Sequence, residues 1–191
     1  WGSSLLNNNN GDCSLMALSK ITTESLLDGE ITAAKFATGV GGKIVQVVNV
    51  MNGASSTGTT VLPADNTIPQ ISEGNEVMTL AVTPTSSSNK LIISVVVMAS
   101  HTTTSTNLGA ALFQDSTSNA LAYGWSWSAT GTTGVPMIFN YYMTAGTTSA
   151  TTFKVRGGTS GAGTYNFNGS GGTRVAGGVM ASSITITEIS A

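Results

Sequence analysis

Lys90-Leu91-Ile92-Ile93-Ser94-Val95-Val96-Val97-Met98-Ala99 decides the fold class of this 191-residue chain. Residues 91–98 are nearly continuous apolar, with Ser94 the one break. A short run rich in β-branched residues predicts a central strand buried on both faces. It falls far short of the roughly 20 apolar residues that span a bilayer as a helix, so no membrane insertion is expected.

Working outward, further strand-like runs occupy 43–51, 59–62, 77–82, 108–114, 120–127, 136–144, 150–156, 165–168 and 182–189. Clusters rich in Gly, Ser, Thr, Asn and Pro separate them at 52–58, 84–89, 101–107, 115–119, 130–134, 157–163 and 169–172. About ten short strands at regular spacing predict an all-β chain folded as an antiparallel β-sandwich or jelly roll. The last run alternates cleanly. Ile184 and Ile186 share one face, and Thr185 and Thr187 the other. Ile189 falls on the threonine face, which suggests that this outer face is covered near the C-terminus by another subunit.

Composition agrees. Charged residues make up 8% of the chain, against roughly 25% in ordinary soluble proteins. Twenty-nine Thr, 24 Ser and 23 Gly together supply 76 of the 191 residues. Thr, Val and Ile suit pleated strands, and Gly, Ser and Asn suit turns. A surface of hydroxyls in place of charges fits a secreted, viral or assembled structural protein. The apolar fraction of 40% sets the chain apart from disordered sequences. With 7 Lys+Arg against 9 Asp+Glu there is no basic footprint, and no nucleic acid partner is expected. The single cysteine, Cys13, excludes an internal disulfide framework and a Cys-rich zinc site. No signal peptide is visible. The first residue is Trp1, which points to a piece of something longer or a processed product.

Three segments are expected: a loop-rich N-terminal part at 1–20, a repeat stalk with a hinge at 21–42, and a sandwich head at 43–191. Asn7–Asn10 followed by Gly11 and Asp12 signals a loop. Residues 21–30 (ITTESLLDGE) align with 31–40 (ITAAKFATGV) as I-T-x-x-x-(L/F)-x-x-G-x. Thr caps a short helical turn and Gly ends it. Ile21, Leu26, Ile31 and Phe36 then form an apolar stripe that a ten-residue unit cannot bury alone. Identical chains about a symmetry axis would cover it, so a homotrimer is expected, with Ile189 as a further packing residue.

Signals for chemistry are sparse. His101 is the only histidine, and no G-x-S-x-G elbow occurs. Gly39-Val40-Gly41-Gly42-Lys43-Ile44 has the outline of a phosphate loop. Ile follows the lysine where Ser or Thr is required, and a strand follows where a helix is required. Asp65, Glu73, Glu76 and Asp115 are the candidates for a glycan-cleaving carboxylate pair, yet Glu73 and Glu76 read as charges of a solvated turn. No metal-ligand spacing exists, so no metal, cofactor or catalytic residue is expected. The aromatics say more. Tyr123, Trp125 and Trp127 stand at i, i+2 and i+4, on one face of a strand. That face either lines the core or stacks on a ligand. Phe139, Tyr141 and Met143 form a second such face, with Asn140 and Tyr142 opposite and outward. Tyr165 and Phe167 lie in the glycine-rich segment 156–174, where binding variation is tolerated if it is a loop at the sandwich end. Asn168-Gly169-Ser170 matches an N-glycosylation sequon.

These pieces share an order with a known family. Residues 31–39 (ITAAKFATG) resemble the T-T-A-K-L-A-D-G repeats of tailed-bacteriophage tail fibres, marine and cyanobacterial phages especially. Gly42-Lys43-Ile44-Val45-Gln46-Val47-Val48, the stretch 83–93 (TPTSSSNKLII) and the closing 182–189 (SSITITEI) are similar to segments that follow in the same order in that family. The resemblance spans about residues 21–191. It implies a homotrimeric fibre with a β-sandwich head on the virion, outside the cell. It further implies contact with a glycan or protein of the host surface, and attachment to other virion proteins through the N-terminal region. Candidate receptor contacts are Tyr142, Tyr165, Phe167, Trp125, Trp127 and His101. Two repeats are fewer than a fibre usually carries, and residues 1–20 lie outside the resemblance. A capsid head fibre or decoration protein without a receptor role is the alternative, and a glycan-degrading tail spike a lesser one.

Overall fold

The computed structural model describes residues 43–103 and 105–191. The decapeptide repeat, its stripe Ile21, Leu26, Ile31 and Phe36, and the N-terminal segment 1–20 lie outside the described residues. The described residues belong to one compact unit.

Twelve strands follow in order: β1 (Ile44–Asn52), β2 (Ser56–Gly58), β3 (Asn75–Val82), β4 (Lys90–His101), β5 (Thr106–Gln114), β6 (Ala122–Ser128), β7 (Val135–Thr144), β8 (Thr151–Thr159), β9 (Tyr165–Phe167), β10 (Gly169–Ser170), β11 (Thr173–Arg174) and β12 (Ser182–Ile189). A 3-10 turn at Ala176–Gly178 is the one helical element among the described residues. The first sheet runs β1-β12-β4-β7, with β9 and β2 extending it at the far end of β4. The second runs β3-β8-β5-β6. All pairings within the two sheets are antiparallel. The chain changes sheet on passing from β2 to β3, β4 and β5, and again from β6 to β7, β8 and β9, while β5 and β6 are neighbours in one sheet. This is a jelly-roll path, as the spacing of the runs predicts.

The two inner faces make one core. Leu91, Ile93, Val95 and Val97 of β4 and Ile184 and Ile186 of β12 face Leu108, Ala110 and Leu112 of β5 and Phe153 and Val155 of β8, all buried. Phe139, Tyr141 and Met143 pack against the same core. Small residues make room where large ones lean in. A Cβ at Gly124 would lie 2.5 Å from Phe139, and one at Gly157 would lie 2.3 Å from the Tyr165 hydroxyl. Neither distance is one that a real side chain tolerates.

Three expectations are corrected here. The run 59–62 is no strand. It crosses the outer face of the second sheet as a strap, and Leu62 plugs a small cluster with Ala111 and Phe113. Gly158 admits it, since a Cβ there would come within 2.8 Å of Leu62. The glycine-rich segment 156–174 is largely paired, forming the end of β8 and all of β9, β10 and β11. Third, β4 is buried on one face only within the protomer: Ile92, Val96 and Met98 on the other remain partly exposed.

Candidate functional site

The outer face of the first sheet has a distinct character. Register places its side chains in rows across four strands. One row is Val47, Thr187, Ile92 and Tyr142, and another is Met51, Ser183, Val96 and Ile138. Between them runs a polar row of Asn49, Thr185, Ser94 and Asn140. Ile44, Ile189, Lys90 and Thr144 close one end. Met51 is 71% exposed, Ile138 66%, Tyr142 61% and Val47 55%. Lys90 is the one charged residue on the outer face of these four strands, and its amine donates to the Thr144 hydroxyl at 2.6 Å. A monomer's outer sheet face ordinarily carries charges and few large aliphatics. Tyr142 and Asn140 point outward, as the alternation of β7 predicts. Ile189, placed on the threonine face from sequence, joins this surface half-buried.

The second surface belongs to β6. Alternation puts Tyr123, Trp125 and Trp127 on the outer face of the second sheet. Tyr123 packs half-buried against the cluster that Leu62 of the strap forms with Ala111 and Phe113, while Trp125 stays 59% exposed and Trp127 56%. The core reading of this triplet is thereby corrected for both tryptophans. Ala122 and Gly124 fill the inner side instead, where Phe139 leaves no space for anything larger. Beyond β6, Thr102, Thr103, Thr130, Gly131 and Thr132 line an open hollow of about 400 Å³.

Three candidate receptor contacts lie inside the protomer and are corrected. Tyr165 and Phe167 are each 1% exposed, and His101 is 0% exposed. The two aromatics share the core-facing side of β9, which pairs with β4 through Ala99↔Phe167 and His101↔Tyr165. Burial pushes the Tyr165 phenol far up, and its hydroxyl has no partner. His101 closes β4. Its Nδ1 accepts from the Thr103 N–H at 3.1 Å and lies 2.8 Å from the Thr103 hydroxyl. Burial lowers its pKa below the usual 6.5, opposed by the Ser128 carbonyl, although Nε2 makes no full hydrogen bond. A pattern of alternating residues gives no sign of which end of a strand a second sheet will cover. The sequon is also closed. Asn168 is 0% exposed, and its amide donates to the carbonyls of Asn52 and Ala54.

The carboxylates are committed locally. Asp115 accepts from the Thr151 hydroxyl and the Thr152 N–H, both at 2.8 Å. Asp65 accepts from Thr67, which lowers its pKa. Glu73 caps the Gln70 N–H, and Glu76 lies 3.8 Å from Arg156. Sequence reasoning missed Glu188, which sits on the buried side of β12. Removal from water pushes its carboxyl up, but donors from Gln46, Asn89 and Thr85 outweigh that and leave it at about 2.

No protein family matches the chain, and no curated protein does. Among solved structures it is similar to the Eiger TNF of S. frugiperda at 9% identity and a TM-score of 0.44, over 75% of this chain and 93% of that one. It is also similar to a chain of infectious bursal disease virus, Gx strain, at 12% identity and a TM-score of 0.37. There 75% of this chain is covered, but only 37% of the viral one. Among the described residues no helix is long and apolar enough to cross a membrane.

Proposed function

We propose that this chain is a virion structural protein, a phage tail fibre or receptor-binding head that works as a homotrimer and attaches the particle to the host surface. One observation carries the reading. The strand at Lys90–His101 is apolar on both sides, and the protomer covers one side only. Its outer half continues into the exposed rows of Val47, Met51, Ile138 and Tyr142. Leaving such a face in water is unfavourable. Copies of the same chain around a closed axis supply a cover of matching shape and equal neutrality. The repeat at 21–40, with its own apolar stripe, and the resemblance to tail fibres support the same assembly. Trimers carry three sites, so weak contacts with a receptor multiply.

Mass photometry of the chain at micromolar concentration is expected to give three copies per particle. Ile138→Arg and Val47→Arg should shift that mass to one copy while circular dichroism keeps its β signature. The purified trimer should compete with phage for adsorption, and antibody against it should label tails in electron micrographs. A stable wild-type monomer would overturn the assembly. Label on capsids without any effect on adsorption would replace receptor binding with decoration.

A further inference from the structure

We propose that Trp125 and Trp127, with the threonine-lined hollow at the end of β6, form a binding site for a neutral saccharide. The proposal rests on the receptor-binding reading above and names its ligand class. Both indoles stand on one face of an edge strand, two residues and so about 7 Å apart. In the row that holds Trp125, Gly109 lies under the Tyr123 ring and Gly158 under Leu62 of the strap, so the indole has covered ground on that side and is open on the others. Asn107 neighbours Trp127 in the same way, with its amide oxygen buried and unpartnered. Three residues beyond Trp127, Thr130 begins the wall of the hollow, which Thr102, Thr103 and Thr132 complete.

The chemistry selects the ligand. Aromatic faces stack on the apolar C–H faces of sugar rings, while hydroxyls and carbonyls around them bond the ring substituents. No Asp, Glu, Lys or Arg occurs in 101–107 or 122–134, and Arg156, in the neighbouring row of Tyr123, is committed to the carbonyls of Glu73 and Gly74, so these segments offer no ion pair to a sialate, uronate or phosphate. The contrast with the first sheet is informative. There the exposed side chains are mostly branched or flexible aliphatics suited to interdigitation, with one phenol, Tyr142, among them. Here two rigid flat rings lie beside hydroxyls. The strap that caps Tyr123 stops short of both tryptophans, so their exposure is a property of this strand and its loops.

The test titrates the full chain with neutral gluco-, galacto- and manno-hexasaccharides and with a hexauronate, followed by saturation-transfer NMR and tryptophan emission. At least one neutral hexasaccharide is expected to bind and the hexauronate to bind more weakly. Trp125→Ala and Trp127→Ala should each weaken binding by about tenfold or more, and Trp127→Phe should restore part of it. Melting temperature and particle mass should stay unchanged in all three variants. Failure of every neutral hexasaccharide, equal binding of the hexauronate, or undiminished binding by either alanine variant would overturn the site. Those outcomes are separable from a failure of the proposed function, which shows as a monomer or as adsorption unaffected by competitor.

Discussion

Glu188 and His101 are buried at opposite ends of β4, and both make the fold sensitive to acid. The Glu188 carboxyl holds a pKa of about 2 in the fold against an ordinary 4.5. Its contribution is therefore present above pH 4.5 and is lost as pH falls towards 2. The His101 imidazole is lowered from 6.5, so the folded state resists its protonation, and stability falls as pH drops below 6.5. Thermal melts across pH 2–8 should show two declines, first from the histidine and then from the glutamate. Glu188→Gln should flatten the second decline and lower stability near neutrality by about 1.5–3 kcal/mol, the worth of hydrogen bonds to a charged acceptor. An unchanged acid limb would remove Glu188 from that role. In the core, Ile186→Ala should lower stability by about 2–5 kcal/mol in chemical denaturation.

At the scale of elements, one side chain ties the far end of the strap to the second sheet. Arg156 donates to the carbonyls of Glu73 and Gly74, both at 2.8 Å, and lies near Glu76. At the other end Leu62 is anchored through its N–H to Thr159. Arg156→Ala should loosen the strap while the sandwich persists. Hydrogen exchange should speed up at Leu62 and Gly74, and Tyr123 should become reactive to solvent probes. Uniform loss of protection across β4 and β12 would show that the strap and the sandwich unfold together. The strap also explains why β6 carries one covered and two open aromatics. The cluster that it forms with Ala111 and Phe113 takes in Tyr123 and neither tryptophan.

For the whole molecule, the two outer faces differ in chemistry. One is aliphatic, with Lys90 its single charge, and the other carries the indoles. Assembly through the first would leave the second free at the periphery, where a receptor can reach it. Assembly and saccharide binding are thus expected to respond to separate substitutions. Ile138→Arg should abolish the trimer without removing the saccharide signal of a single protomer. Trp127→Ala should do the reverse, as read by mass photometry and NMR on the same samples. Loss of both properties in either variant would show one shared surface.

The strands themselves were legible because alternation and β-branching are local properties. Residues 43–51, 77–82, 136–144 and 182–189 are strands within a residue or two at either end. That Tyr142 and Asn140 share the face opposite Phe139, Tyr141 and Met143 followed from period two alone. What periodicity cannot supply is which face of a strand meets the other sheet, and where a loop crosses. Tyr165, Phe167 and His101 became interior because β9 docks beside the end of β4. Trp125 and Trp127 became exterior because Gly124 opposes Phe139. Glu188 and Asn168 became buried polar anchors because distant loops bring them donors and acceptors. Local sequence determined the strands and their two faces. Long-range packing alone decided which face was inside, because burial depends on neighbours that lie far away along the chain.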